Sequence, residues 1–214
     1  RILTIRWSGQ LTDGLFQSAL ASFVLFSPER APNAVSAALA FSVVLLPYSF
    51  IGPYVGTFLD RYSRQRIIRN CNYQRAINLL MIAWLIHSGS TGVVLTLFVL
   101  FAFGVNRLIL SGLSAGLPLL VKKEELIAVN ALAVTGGTIW VVIGGGIGIA
   151  IKNLLSQSSN ADFADAVVIL VASAGFFTAG LATYRLNKYE IGPSENETLD
   201  HARGYKDVLE GLKI

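Results

Sequence analysis

Apolar residues in this chain fall into six long runs separated by short polar segments. The first extends from about Gly9 to Ser27, carries Asp13 and Gln17 inside it, and ends at Ser27-Pro28-Glu29-Arg30. The second extends from about Ala34 to Leu59 and contains Pro47 and Pro53. These predict kinks whose freed carbonyls neighbouring helices must satisfy. The third, from about Asn72 to His87, is short and gives way to Ser88-Gly89-Ser90-Thr91-Gly92, a tight-turn composition. The fourth, from about Val93 to Leu120, holds Asn106, Arg107 and Pro118; the fifth, from about Ile127 to Ile151, is rich in glycine. A polar loop from Lys152 to Asp162 precedes the sixth, from about Phe163 to Tyr184. A helix crosses a bilayer with about 20 mostly apolar residues. The pattern therefore predicts an all-α membrane protein with six transmembrane helices over residues 1–184.

The polar segments predict an orientation. Arg61, Arg64, Arg66 and Arg69 lie between the second and third runs, and Lys122 and Lys123 between the fourth and fifth. Arg185 and Lys188 follow the sixth run, and Arg1 and Arg6 precede the first. The alternate loops hold only Arg30 and Lys152. Positive segments resist translocation, so loops enriched in Lys and Arg are cytoplasmic. Both termini are expected there, in a multi-pass protein of the cell (inner or plasma) membrane. Residues 185–214 are polar and read as a cytoplasmic linker. Within it Tyr205, Val208, Leu209 and Leu212 recur at helical spacing and predict a surface amphipathic helix. The sequence carries no detectable repeat between runs one to three and four to six.

Composition narrows the class. Of 214 residues, 53% are hydrophobic and only 14% charged, against roughly 25% charged in soluble domains. A soluble fold would lack the polar surface to cover such a core. One cysteine, Cys71, excludes an internal disulfide. The net charge of +4 is spread between apolar runs, unlike the basic face of a nucleic-acid protein, so no nucleic-acid partner is expected. No Cys and His cluster has metal-ligand spacing: His87 ends the third run and His201 lies in the tail. No nucleophile, base and acid can be grouped, so neither an enzyme, a metal nor a cofactor is expected. The long, polar-dotted first run does not fit a cleavable signal peptide.

The segment after the second run reads Gly56-Thr57-Phe58-Leu59-Asp60-Arg61-Tyr62-Ser63-Arg64-Gln65-Arg66. It resembles the signature loop of the major facilitator superfamily, G-x-x-x-D-R-x-G-R-[KR]. Gly56, Asp60, Arg61, Arg64 and Arg66 match in type; Arg66 stands one place late, and Ser63 replaces the usual glycine. Independently of the resemblance, Gly56 permits close helix approach. Asp60 at a helix C-terminus needs a cation such as Arg61 or Arg64 to offset the dipole. The resemblance implies that this loop is cytoplasmic and that its acid latches the outward-facing state against the other half of the transporter.

Further on, Gly104-Val105-Asn106-Arg107, Ser114-Ala115-Gly116-Leu117-Pro118 and Leu126-Ile127-Ala128-Val129-Asn130-Ala131-Leu132 look like the drug- and macrolide-efflux branch. Members have twelve helices in two six-helix bundles, each a 3+3 inverted repeat. The chain is thus expected to be the N-terminal half, cut before helix seven, with the C-terminal half as its partner.

Charges inside the apolar runs are the candidates for mechanism. Arg107 lies near the middle of the fourth run, where an Arg costs at least about 2.5 kcal/mol, and must find a partner or a wet cavity. Gln10, Asp13 and Gln17 share one helix face, and Arg107, Ser111 and Ser114 form a second polar stripe. The family lines its central cavity with helices one and four, so Asp13 or Gln17 is expected to face Arg107, with Asn106 beside it. The family's antiporters follow such an arginine with glycine four residues on; here Ser111 takes that place and Gly112 follows. A carboxylate such as Asp13, desolvated beside an Arg, could change protonation as the cavity opens. In the fifth run Gly144, Gly145, Gly146 and Gly148 are expected to pack helices closely. They make a poor phosphate cradle, since no Gly-Lys-Ser/Thr follows. The family's central proline is absent from this run.

The expected activity is secondary active transport by alternating access: proton-coupled efflux of small amphipathic molecules. The expected partners are the lipid bilayer, a small-molecule substrate and protons. Two alternatives stay open at this level: a nutrient-uptake permease of the same fold, and a non-transporting six-helix scaffold or subunit.

Overall fold

The computed structural model describes residues 1–25, 55–56, 58–90, 92–157 and 160–194. Most of the second apolar run and the tail helix expected at 205–212 lie outside the described residues. So the six spans and the 3+3 repeat remain expectations.

Among the described residues every regular element is helical. Helix α1 covers Ile2–Leu25, α2 Arg64–His87, α3 Val93–Gly116, α4 Leu126–Ser156 and α5 Ala161–Ala182, with single 3-10 turns at Leu117–Leu119 and Thr183–Arg185. Among the described residues three segments are long and apolar enough to cross a membrane: Val93–Leu119, Leu126–Ser156 and Ala161–Arg185. The 31 residues of α4 rise about 46 Å at 1.5 Å each, more than the roughly 30 Å hydrocarbon core. Helices α1 and α2 have 24 residues each, which is spanning length, but their polar positions interrupt the apolar run.

Those polar positions also displaced the expected boundaries. Helix α1 starts at Ile2, well before Gly9, and α2 starts at Arg64, well before Asn72. In both cases the early turns bury one apolar edge: Ile2 and Ile5 on α1, Ile67, Ile68 and Cys71 on α2. A pattern search tuned to unbroken apolar stretches misses such half-polar turns. The expected turn after α2 is present, with Gly89 at φ +69° and Gly92 at φ +102°, conformations that favour glycine. Helix α5 is capped by Asn160, whose side chain accepts the Phe163 N–H at 2.8 Å.

In space the helices run α3–α2–α5–α1–α4, each packed on its neighbours in that order, with α4 also touching α5. Two apolar clusters fill the interior. One collects Phe16, Leu79, Ile82, Ile86, Phe103, Ile169 and Phe176; the other collects Ile5, Leu59, Ile68, Ile109, Leu113 and Ile191.

The α1–α4 seam is made by small residues. A Cβ at Gly144 would lie 1.9 Å from the Leu11 carbonyl oxygen, and one at Gly14 would lie 2.0 Å from that of Val141. Only glycine at both places lets the two backbones meet, the arrangement by which helices associate in lipid. Gly148 contributes against Ser18 and Gly145 only marginally. Gly146 does not pack as expected against the described residues: it is exposed and no described atom comes within 4 Å of a Cβ there. It lies on the far side of a helix whose buried positions are Ala133, Gly137, Gly144 and Gly148. Gly56 is likewise exposed, and no described atom comes within 4 Å of a Cβ there.

Candidate functional site

A buried ionic cluster joins three helices between the two apolar clusters. Asp13 on α1, Arg75 on α2 and Asn106 on α3 meet there. Arg75 Nη2 donates to Asp13 Oδ1, and Nη1 donates to Asn106 Oδ1 at 3.1 Å. The Arg75 and Asp13 side chains are 1% and 3% exposed. The guanidinium also lies over the Phe176 ring of α5, 3.8 Å from its centroid, a cation–π contact. Along each helix the cluster sits where one apolar set gives way to the other: Asp13 between Ile5 and Leu15, Arg75 between Cys71 and Ala76, Asn106 between Phe103 and Ile109.

This placement has a physical logic. Moving two charges out of water costs several kcal/mol per ion, offset only by good geometry and further hydrogen bonds. A planar guanidinium with five donors can hold a carboxylate, an amide oxygen and a ring face at once. It therefore ties four helices through one side chain. Neighbouring polar groups are also bonded locally: Asn78 Nδ2 to the Phe98 carbonyl at 2.9 Å, and Ser173 Oγ to the Ala76 carbonyl at 2.7 Å.

The expected pairing of Asp13 with Arg107 is corrected by this geometry. Asp13 is taken by Arg75, which sits three residues into the third apolar run and went unnoticed. Arg107 and Gln17 are both exposed. Ser114, expected beside Arg107, accepts from Arg6 Nη1 at 3.0 Å instead. On a helix, positions one apart point about 100° apart, so burying Asn106 turns Arg107 away from the core.

The arginine-rich turn forms a second polar centre. Arg64 Nη2 donates to Asp60 Oδ1 at 3.0 Å, so of the two candidate cations Arg64 neutralises the acid. Asp60 is 52% exposed. Arg66 is exposed, and Arg61 is half-buried.

A third polar centre lies at the opposite end of the bundle. Lys152 Nζ lies 2.9 Å and 3.0 Å from the two oxygens of Asp165, which is 2% exposed. Ser18, Gly148 and Val168 line a cavity of about 210 Å³ beside the pair. The sequence placed Lys152 in a polar loop. It is within α4, and Asp165 is inside the span that the sixth run predicts. Among the described residues no group of His, Cys, Asp and Glu could hold a metal ion.

Two proteins named as uncharacterised MFS-type transporters, from Mycobacterium bovis and Mycobacterium tuberculosis, are each 33% identical to this chain over 211 residues. The match covers 99% of this chain and 47% of each relative, so the chain spans about half the length of the relatives it matches. No family model matches the chain. No solved structure matches it either. Helices fit to cross a membrane thus coincide with similarity, along nearly the whole chain, to about half of proteins named as MFS-type transporters.

Proposed function

We propose that this chain is the N-terminal half of a secondary active transporter of the major facilitator superfamily, exporting small amphipathic molecules in exchange for protons. The observation that carries the reading is the Asp13–Arg75–Asn106 cluster. A buried carboxylate joined to one cation is neutral as a pair, and a proton delivered to Asp13 would leave the guanidinium uncompensated and favour rearrangement. Ionisable residues inside membrane helices usually serve ion or substrate pathways.

Further features support alternating access. Gln17 is exposed on α1 and Arg107 on the strongly apolar α3, and an arginine at mid-span requires a wet or protein-lined face. In the proposal this face borders a central cavity between the two halves, where substrate binds. Helix α4 exposes Ile127, Val142 and Leu154, apolar surface for lipid and the C-terminal half to cover. The Asp60 turn is the cytoplasmic gate of this scheme, with both termini on its side of the cell membrane.

The test uses the full-length protein in liposomes with an internal pH dye, and ethidium as an amphipathic cationic probe. Ethidium efflux should move protons the opposite way, and Asp13→Asn should abolish the proton movement while the protein still inserts. Proton flux unchanged in Asp13→Asn would refute the coupling site. Ethidium and protons moving in the same direction would refute exchange.

A further inference from the structure

Three consecutive residues at the start of α2 hold the segment that follows α5. The Ser63 hydroxyl donates to the Lys188 carbonyl, the Arg64 backbone N–H donates to the Gly192 carbonyl at 3.0 Å, and Gln65 Nε2 donates to the Thr183 carbonyl at 3.2 Å. Because its hydroxyl is used in this way, Ser63 makes no capping bond to its own helix. The Arg64 side chain adds more. Its Nη1 reaches the Ile191 carbonyl at 3.1 Å and the Ala115 carbonyl at 3.2 Å, at the end of α3.

The held segment is packed as well as bonded. Ile191 is fully buried and belongs to the apolar cluster of Leu59, Ile68 and Leu113. It sits on Gly116, where a Cβ would fall 2.7 Å from the Ile191 Cβ. Gly192 turns the chain at φ +73°, beneath the Arg64 guanidinium. Residues 186–192 are therefore part of the bundle's end. The sequence had assigned them wholly to a linker.

Arg64 has one anionic ligand among these partners, Asp60, and that ligand is half in solvent. The other acceptors are neutral carbonyls, and Arg64 Nε is buried without a hydrogen bond. Charge-assisted bonds to carboxylate are roughly twice as strong as neutral ones and fix the guanidinium plane. Losing Asp60 would leave the fork without the group that aims it.

We infer that Arg64 is a positioning residue that couples the Asp60 turn to residues 186–194: when Asp60 is drawn elsewhere, this segment loosens. This inference rests on the reading of Asp60 as a gate. It adds that the gate's state is passed to the segment leading out of the bundle, and that a force on that segment acts back on the gate. Such coupling is reciprocal by thermodynamic necessity.

Amide hydrogen exchange on the full-length protein in lipid nanodiscs tests it. Asp60→Ala changes a side chain whose bond is to Arg64 and not to residues 186–194, yet should speed exchange there by about fivefold or more. Arg64→Lys should do the same, since one ammonium cannot reproduce the planar fork. Ile191→Ala should in turn speed exchange at residues 58–63 by a similar factor. Exchange at 186–194 within about twofold of wild type in Asp60→Ala overturns the inference whatever Arg64→Lys does, because Arg64 itself bonds the segment. The gating reading fails separately: spin-label distances between the two halves that are unchanged by Asp60→Ala would sink the gate, while the measured exchange coupling would stand.

Discussion

Replacing Arg75 by methionine removes the cation from Asp13 while keeping an apolar stem of similar reach. Two losses follow from the geometry. The Asp13 carboxylate stays buried with no charge partner, and removing one member of such a pair costs about 3–5 kcal/mol. The Asn106 Oδ1 also loses the donor at 3.1 Å, worth about 1 kcal/mol. Arg75→Met should therefore destabilise the protein by about 4–6 kcal/mol. Asp13→Asn keeps an acceptor opposite Arg75 but removes its charge, and should cost about 2–3 kcal/mol. The double variant has no buried ion left. Apolar or neutral replacement of a buried pair is often neutral, so it should lose only about 1–3 kcal/mol.

The cycle then gives a coupling of at least about 3 kcal/mol, at the upper end for groups in contact. A hydrated pair would couple by about 0–1 kcal/mol, so the two descriptions are well separated. The assay is reversible denaturant unfolding of the full-length protein in mixed micelles, for the four members of the cycle. Coupling below about 1 kcal/mol would show that Asp13 and Arg75 are not a desolvated pair, and the burial argument would fall with it.

Three other outcomes follow from the packing. Gly144→Ala pushes a methyl into the Leu11 backbone and should destabilise by about 1–3 kcal/mol, whereas Gly146→Ala, which meets no described atom, should stay within about 0.5 kcal/mol; equal melting shifts would contradict the seam described between α1 and α4. Phe176→Leu removes the ring under Arg75 and should cost about 1–2 kcal/mol of cation–π energy beyond the packing lost at a fully buried core side chain; in the same unfolding assay only the cation–π part should disappear when Arg75 is already methionine. Asp165→Asn removes the carboxylate that Lys152 Nζ meets at 2.9 Å and should cost more than Lys152→Met/Asp165→Leu together; the reverse order would show that Lys152 and Asp165 are not a desolvated pair.

The helical class and the apolar spans of α3, α4 and α5 could be read from the sequence because unbroken apolar runs of bilayer length have few other uses. The turn at Gly89 and Gly92 was legible for a similarly local reason, since both residues adopt positive φ. The ionic partners were not legible, and the reason is geometric. Periodicity tells which residues of one helix share a face, as it did for Gln10, Asp13 and Gln17, but pairing needs the rotation of each helix about its own axis. Arg107 drew attention because it stands inside a long apolar run. Arg75 did not, because Asn72, Asn78 and the nearby arginines made its surroundings look like the margin of a loop. Yet a guanidinium three residues into an apolar run is the same signal.

Lys152 and Asp165 were missed for different reasons: Lys152 was assigned to a loop although α4 runs on to Ser156, and Asp165, inside the sixth run, was not singled out as a charge that needs a partner. The common lesson concerns energetics. Every charge within about two turns of an apolar run has a desolvation cost to offset, and the search for its partner must extend over every helix that can reach it. Asn106 shows where such a search would succeed: it adjoins the conspicuous Arg107, and burying it fixes the rotation of α3 that sends Arg107 outward and leaves Arg75 to meet Asp13.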